Sequence, residues 1–141
     1  MYLLDTNVVS ELRKIRAGKA DLQVATWADS TDAADLYISV ITVQELEIGV
    51  LLAERRDPAQ GAVLRAWLNG HVLPAFAARI LFVDTAVALR SARLHVPDLR
   101  PVRDGLIAAT ALVHGMTLVT RNVSDFRLAG VRLLNPWTGT A

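Results

Sequence analysis

The 141-residue sequence predicts an α/β domain in which a five-stranded, mainly parallel sheet is covered by helices on both faces. Five short apolar segments alternate with segments of helical periodicity, which is the pattern of βαβ units. The composition is 52% apolar and 21% charged, as in ordered globular proteins. A chain of this length buries roughly two-thirds of the surface that it exposes when unfolded. We therefore expect one domain, residues 1–141, without a linker or an internal repeat.

The residue types exclude several kinds of site. The sequence contains no cysteine, which excludes disulfides, thiolate zinc sites and cysteine nucleophiles. His71, His95 and His114 lie far apart without the spacing of metal ligands, so zinc is not expected. The formal net charge is only +1, so a nucleic-acid partner would have to be held by a local patch of charge.

No membrane segment and no leader are expected. The longest uncharged run, residues 105–120, contains polar residues and is shorter than the roughly 18 apolar residues that a membrane span needs. Asp5 follows so closely on Met1 that we expect no signal peptide before it. The sequence is therefore interpreted as that of a soluble, cytoplasmic protein.

The first strand is predicted at Tyr2–Leu4 and ends at the carboxylate of Asp5. Helical spacing follows in Val8, Val9, Leu12 and Ile15. Thr6 or Asn7 is expected to cap this helix. Asp5 then lies at the carboxyl end of a buried strand, where ligands bind in open parallel sheets. The alternative is that Asp5 is itself only a helix cap.

The second strand is predicted at Leu36–Ile41, after a helix over Ala20–Ala28 and a polar loop. Thr42 and Glu45 have the Thr-x-x-Glu spacing of a capping box. Glu45 is therefore either a capping residue or, from the first turn of the next helix, a second carboxylate that reaches the crevice of Asp5.

The helix after the second strand is predicted to continue to Glu54. Asp57 and Pro58 mark the start of another helix, which Gly70 and Pro74 are expected to break. The third strand is predicted at Arg79–Val83. Asp84 would cap the following helix, whose apolar residues are Val87, Leu89 and Leu94.

The last third of the sequence supplies two more strands. Residues 95–102 contain two prolines and predict a loop. Asp104 then opens an apolar helix over Gly105–His114, which Gly115 ends. The fourth strand is predicted at Met116–Thr120, a turn at Arg121–Phe126 and a short fifth strand at Val131–Leu134.

Five acidic residues fall at a strand end or a helix start, namely Asp5, Glu45, Asp84, Asp104 and Asp125. If several of them converge, their repulsion is tolerable only with a cation between them, and oxygen ligands suit Mg²⁺ or Mn²⁺. Such a metal site would orient a phosphodiester and generate hydroxide from water. This chemistry requires no histidine, serine or cysteine nucleophile.

Four segments resemble the motifs of PIN-domain endoribonucleases and, more narrowly, of the VapC-like toxins of type II toxin–antitoxin pairs. They stand in the family's order and are Leu3–Val8, Ile41–Leu46, Arg103–Asp104 and Leu118–Phe126. The resemblance runs from residue 1 to about Leu134. It implies a three-layer α/β/α fold with strand order 3-2-1-4-5 and an Mg²⁺- or Mn²⁺-dependent endoribonuclease that acts as a toxin.

The resemblance also implies the site residues. The acidic quartet would be Asp5, Glu45, Asp104 and Asp125, supported by Thr6, Asn7, Thr120 and Asn122. In the implied order, strand three lies two places from strand one, roughly 10 Å away, so Asp84 is interpreted as a cap. Asp125 lies several residues past strand four. Its alternative is a solvent-exposed position beside a turn that Asn122 caps.

An RNA substrate would need cationic contacts near the acids. The candidates are Arg13, Lys14, Arg16, Arg100, Arg103 and Arg121. The alternative is that each of these side chains only lies on the solvated face of a helix. No aromatic stacking platform is recognisable, so the sequence predicts no base preference. The resemblance further implies a homodimer and a cognate antitoxin protein laid over the active site.

Two other functions remain open at this point. A haloacid-dehalogenase-like phosphatase would also use an aspartate after the first strand. The sequence pattern of such a phosphatase, however, is Asp-x-Asp followed by a later lysine. Here position 7 is asparagine and no lysine follows Lys19. The second alternative is a PIN-like module that binds protein or RNA without catalysis.

Overall fold

The structure is a computed structural model that describes residues 1–138 apart from the side chain of Leu128. Its five strands are parallel and form one sheet. They are β1 (Tyr2–Leu4), β2 (Leu36–Ser39), β3 (Ile80–Leu81), β4 (Thr117–Val119) and β5 (Leu133–Leu134). The order is β3-β2-β1-β4-β5. The predicted fold class and the strand order implied by the resemblance are both confirmed.

The described residues form eight α-helices. They are α1 (Thr6–Leu12), α2 (Leu22–Asp29), α3 (Val40–Arg56), α4 (Pro58–Trp67), α5 (Leu73–Ala75), α6 (Thr85–Leu94), α7 (Val102–His114) and α8 (Val123–Phe126). None of them is long and apolar enough to cross a membrane.

The sheet buries both of its faces, because neighbouring residues of a strand point to opposite sides. Leu4 and Val119 face a core that α1, α3 and α4 complete. Leu3 and Leu118 face a second core that α7 and α8 complete. The sheet is thus the middle of three layers, and its carboxyl edge is where β1 and β4 deliver Asp5 and Thr120.

Helix α3 starts earlier than predicted. Strand β2 ends at Ser39, whose hydroxyl accepts a hydrogen bond of 3.0 Å from the N–H of Ile41 and caps the helix. The predicted capping box of Thr42 and Glu45 is therefore wrong. Thr42 lies inside the helix and is fully buried, and Glu45 lies in the second turn. Both side chains are thereby free for contacts with other elements.

Three further predictions are wrong. Gly70 and Pro74 do not interrupt the helical path of the backbone. A π-helical turn at Leu68–Val72 leads directly into α5, and Leu68 and Val72 are buried in the core. Leu89 does not carry the packing of α6, since it is 66% exposed. Helix α1 ends at Leu12 and leaves Ile15 exposed.

Candidate active site

Asp5 follows β1 directly and caps α1. It is the actual cap, where Thr6 or Asn7 was predicted. The carboxylate is only 6% exposed. Its Oδ1 accepts from the N–H of Thr6 at 2.8 Å, and its Oδ2 accepts from Thr120 Oγ1 at 2.8 Å and from Asn7 Nδ2 at 3.4 Å. Asp5 is therefore a buried acid held from both β4 and α1.

Glu45 approaches the same edge of the sheet from α3. Thr6 Oγ1 donates to its Oε1 at 2.6 Å, and Arg103 Nε donates to its Oε2 at 3.1 Å. The hydroxyl of Thr42 lies 3.2 Å from that of Thr6. Because Thr6 follows Asp5 directly, this chain of hydrogen bonds connects the two acids.

Asp104 and Asp125 complete the acidic group from the other side. Asp104 is half-buried in the first turn of α7, which starts three residues earlier than the predicted Gly105. Asp125 is exposed on α8, and neither of the two carboxylates has a hydrogen bond partner among the described side chains. The quartet is thus drawn from β1, α3, α7 and α8.

The charges of the four acids act on one another. Burial raises the pKa of the Asp5 carboxyl above its usual value, and the charges of Glu45 and Asp125 raise it further. The hydrogen bonds from Thr120 and Thr6 offset part of this effect. Burial also raises the pKa of Asp104, and Asp5, Glu45 and Asp125 add to it by repulsion. The four acids therefore lie within electrostatic reach of each other.

Two cavities open beside Asp104. The first, here called the acidic groove, has a volume of about 340 Å³ and is lined by Glu45, Pro101, Val102, Arg103 and Asp104. The second, here called the apolar cavity, has a volume of about 190 Å³ and is lined by Leu94, Arg100, Pro101, Asp104, Gly105, Ala108, Asp125, Phe126 and Ala129. Pro101 and Asp104 belong to both.

The residues fit a hard divalent cation in their chemistry, since the donors are carboxylate oxygens whose mutual repulsion a cation would relieve. As placed, no group of three or more acidic or histidine residues in the described part of the chain is gathered closely enough to hold an ion. Both oxygens of Glu45 are also engaged in hydrogen bonds, from Thr6 and Arg103. The carboxylate donors match Mg²⁺ or Mn²⁺. The Glu45 side chain would have to reorient in order to bind the ion.

The predicted supporting residues lie in this site. Thr120 is fully buried, and besides donating to Asp5 its hydroxyl accepts from the N–H of Asn122 at 3.0 Å. Asn7 Oδ1 accepts from the N–H of Arg121 at 3.4 Å. Asn122 precedes α8 but makes no side-chain cap. These contacts fix the loop after β4 against the start of α1.

The predicted cations fall into two groups. Arg13 and Lys14 lie at the far end of α1, about 10 Å along the helix from Thr6. There Arg13 covers the ring of Trp67 at 5.9 Å, Lys14 pairs with Glu11 at 3.2 Å, and Arg16 lines a groove with Trp67 and His71. This group is remote from the acids.

The second group contacts residues of the site or lines its cavities. Arg103 pairs with Glu45 at 3.1 Å. Arg100 donates from Nε to the carbonyl of Leu94 at 2.7 Å and from its N–H to His95 Nδ1 at 3.1 Å. The guanidinium of Arg121 lies 5.1 Å from the ring centre of Trp137. Arg100, Arg103 and Arg121 are therefore the cations placed to meet a substrate at the acidic group.

Asp84 lies apart from this group. Its Oδ1 accepts from the N–H of Val87 at 2.9 Å, and it caps α6 as predicted. Two residues near the site were missed as such, Thr42 and Trp137. Thr42 is predicted as a cap but lies beside Thr6, and Trp137 packs against the core while its ring also contacts Arg121. The signal for Trp137 was its position just after the last strand, at the same edge of the sheet as Asp5.

The sequence and the fold were compared with known proteins. The family model of the PIN domain matches residues 2–130. VapC ribonuclease Y4jK of Sinorhizobium fredii is 39% identical over 142 residues, covering 97% of this chain and 98% of that protein. Toxin FitB of Neisseria gonorrhoeae is 41% identical over 143 residues, covering 97% and 99%.

Solved structures give the same result. The crystal structure of FitAcB from Neisseria gonorrhoeae matches with a TM-score of 0.84 and 39% identity over 97% of this chain and 99% of that chain. A toxin–antitoxin complex from Klebsiella pneumoniae matches with a TM-score of 0.64 and 26% identity, over 96% and 98%. The similarity therefore extends over nearly the whole chain.

Proposed function

The chain belongs to the PIN-domain family, and from this premise we propose that it is a metal-dependent endoribonuclease that acts as the toxin of a toxin–antitoxin pair. Its curated relatives are named a ribonuclease and a toxin, at about 40% identity over nearly the full length of both chains. The observation that carries the proposal is the buried carboxylate of Asp5, which lies within electrostatic reach of Glu45, Asp104 and Asp125 at one edge of the sheet.

Asp5, Glu45 and Asp104 would hold the cation, with Asp125 adding negative charge at the exposed edge. When bound, Mg²⁺ or Mn²⁺ would offset the repulsion among the acids, polarise a phosphodiester and acidify a water molecule. The donor chemistry supports this assignment, because hard cations of this kind prefer oxygen ligands.

The chain's own residues position the reacting groups. Thr120 and the N–H of Thr6 fix both oxygens of Asp5, so its carboxylate cannot rotate freely. Thr6 holds one oxygen of Glu45, and Arg103 holds the other. Arg103 pairs with Glu45, and the backbone N–H of Arg121 contacts Asn7. Both arginines would supply positive charge that draws a phosphate backbone towards the site.

The proposed partners are an RNA substrate, a cognate antitoxin protein and a second copy of the chain. A toxin–antitoxin complex among the matching structures supports the antitoxin. The homodimer is supported by apolar residues that α3 leaves open, since Leu51 is 52% and Leu52 is 57% exposed. Side chains of this kind on a helix face are typical of an interaction surface.

The phosphatase alternative loses its support in the site. At the second acidic position of that pattern, Asn7 donates a hydrogen bond to Asp5 instead of supplying a carboxylate. A binding module without catalysis would have the same fold. Only a measurement of RNA cleavage distinguishes it from a nuclease.

The test is incubation of the purified protein with labelled single-stranded RNA in Mg²⁺ or Mn²⁺ and then in excess EDTA. We expect cleavage that EDTA abolishes and that Asp104→Asn and Asp5→Asn each reduce at least about a hundredfold. Asp98→Asn, which removes an exposed acid from the loop before α7, is the matched control and should cleave like the wild type. Cleavage that survives chelation, or both active-site substitutions, would contradict the mechanism.

A further inference from the structure

The apolar cavity lies directly beside the acidic groove, with Pro101 and Asp104 as their shared wall. A phosphate bound at the acids would therefore have an apolar recess next to it. The cavity volume of about 190 Å³ is below the roughly 300–1,000 Å³ of pockets for drug-sized molecules. Its occupant should therefore be a group of about the size of one planar ring system.

The cavity carries two polar groups of opposite kind at its lining. Arg100 is half-buried, and the hydrogen bond from its Nε to the carbonyl of Leu94 holds the guanidinium. The backbone N–H of Arg100 donates to His95 Nδ1 and holds the main chain. Its two terminal Nη groups have no hydrogen bond partner in the part of the chain that the structure describes. The carboxylate of Asp125 is likewise without such a partner among residues 1–138. A ligand here would meet a fixed pair of donors and a pair of acceptors.

On the basis of the proposed function, we propose that the apolar cavity binds the nucleobase next to the scissile phosphate and that guanine fits it best. Guanine presents O6 and N7 as adjacent acceptors, which an arginine contacts in bidentate fashion. Its N1–H and N2–H₂ groups are adjacent donors, which suit the two oxygens of a carboxylate. The other three bases lack one or both of these pairs.

The apolar lining supports the same occupant. Ala108, Phe126 and Ala129 form the inner wall, so the ring would be taken out of water while its polar edge meets Arg100 and Asp125. Sequence-specific recognition of RNA acts mostly on single-stranded segments, whose unstacked bases are free to enter such a site. The cavity would thereby give the nuclease a base preference that its acids alone do not.

The first test maps cleavage sites in a pool of single-stranded RNA of random sequence. We expect guanine to be enriched at one position beside the cut by roughly 5-fold to 150-fold, the range of one good bidentate contact. Arg100→Met removes the donors, and Ala108→Leu fills the cavity. Arg100→Met should lower the enrichment at that position, and Ala108→Leu should abolish it. Arg93→Met, which removes an exposed arginine of α6 that does not line the cavity, should retain it.

The second test needs no cleavage and also reports whether Ala108→Leu folds. The methyl resonances of Leu94 and Ala129 are followed by NMR in metal-free buffer while guanosine monophosphate is added. We expect these resonances to shift in the wild type and in Arg93→Met, to shift less with the adenosine, cytidine and uridine monophosphates, and to stay unchanged in Ala108→Leu.

The outcomes separate this proposal from the proposed function. Cleavage without base preference, with no methyl shift on adding any nucleotide, would overturn the base site and leave the nuclease intact. The cavity would then be open to an apolar side chain of a protein partner. Enrichment of another base would overturn the choice of guanine. Methyl shifts with guanosine monophosphate in a protein that cleaves no RNA would support the base site and contradict the nuclease.

Discussion

Thr120 Oγ1 donates a hydrogen bond of 2.8 Å to Asp5 Oδ2 and joins two residues that are 115 positions apart in the sequence. Parallel pairing of β1 with β4 brings them together, since Leu4 lies opposite Val119 and the next residue of each strand follows at the same edge. The buried acid at the centre of the site is therefore held by the residue that ends the neighbouring strand.

The substitution Thr120→Val should destabilise the protein and impair its activity. The valine leaves the buried Asp5 with one donor fewer and the N–H of Asn122 without its acceptor. We expect a loss of about 1–3 kcal/mol in the free energy of unfolding, measured by urea denaturation. RNA cleavage should also need a higher pH, because the pKa of Asp5 loses the hydrogen bond that lowers it.

Thr120→Ser is the matched control for this prediction, because it retains the hydroxyl. It should keep the pH profile of the wild type and lose little stability. If Thr120→Val were as stable and as active as Thr120→Ser, the hydrogen bond to Asp5 would have no role in the site.

Asp104→Asn should make the metal-free protein more stable at neutral pH. Because the pKa of Asp104 is raised on folding, the folded chain binds more protons than the unfolded chain between the two pKa values. Stability therefore falls as the pH rises through this range. The variant lacks this penalty, so its advantage, up to about 1 kcal/mol for a half-buried group, should shrink as the pH is lowered below the usual pKa of a carboxylate.

Urea denaturation at neutral and at acidic pH measures this difference. Added Mg²⁺ provides a second measurement, because a ligand that binds only the folded state stabilises it. Mg²⁺ should raise the stability of the wild type more than that of Asp104→Asn. Equal stabilisation of both proteins would remove Asp104 from the set of metal-binding residues.

A feature of this site is predictable from the sequence when the residues that form it are close together along the chain. Asp5 is predictable from the sequence because strand, acid and helix follow one another within a few residues. The start of α3 is not predictable in this way, because Ser39 and Thr42 are both good caps. The choice between them depends on where β2 stops pairing with β3. The contact of Glu45 with Arg103 spans 58 positions and has no local signal at all.

The region after α4 shows why a local signal fails. Gly70 and Pro74 are residues that break helices in isolation. Here the helical path continues because Leu68 and Val72 are buried against the sheet, and burial of large apolar side chains outweighs the propensity of a single glycine. Local propensity therefore predicts a break that tertiary packing overrides, and the sequence pattern alone does not reveal that packing.

Arg103→Met should increase the affinity for Mn²⁺ in the absence of RNA. Its guanidinium occupies one oxygen of Glu45, so its removal leaves that oxygen free for a cation. The arginine side chain is 52% exposed, and exposed ion pairs contribute roughly 0.2–1 kcal/mol, so we expect an increase of about 1.5-fold to 5-fold. Isothermal titration measures it. Arg90→Met, an exposed arginine of α6, should leave the affinity unchanged, and a decrease in Arg103→Met would contradict the competition.

The substitutions Gly61→Ala and Gly49→Ala should have opposite effects on stability. A Cβ at Gly61 of α4 would lie 2.4 Å from the Cα of Glu54 on α3, so the two helices would have to separate. The separation would also strain the ion pairs of Arg65 with Glu47 and Glu54 at 2.6 and 3.1 Å. We expect Gly61→Ala to lower the free energy of unfolding by more than about 2 kcal/mol, as overpacking of a close contact does.

Gly49 supplies the control on the helix that Gly61 contacts. It is exposed within α3, and a Cβ there would meet nothing within 4 Å. Gly49→Ala should therefore raise the free energy of unfolding by about 0.5–1 kcal/mol, since alanine loses less backbone entropy than glycine in a helix. Urea denaturation of both variants tests the pair. If Gly61→Ala were stabilising as well, α3 and α4 would not pack as closely as the backbone of Glu54 requires.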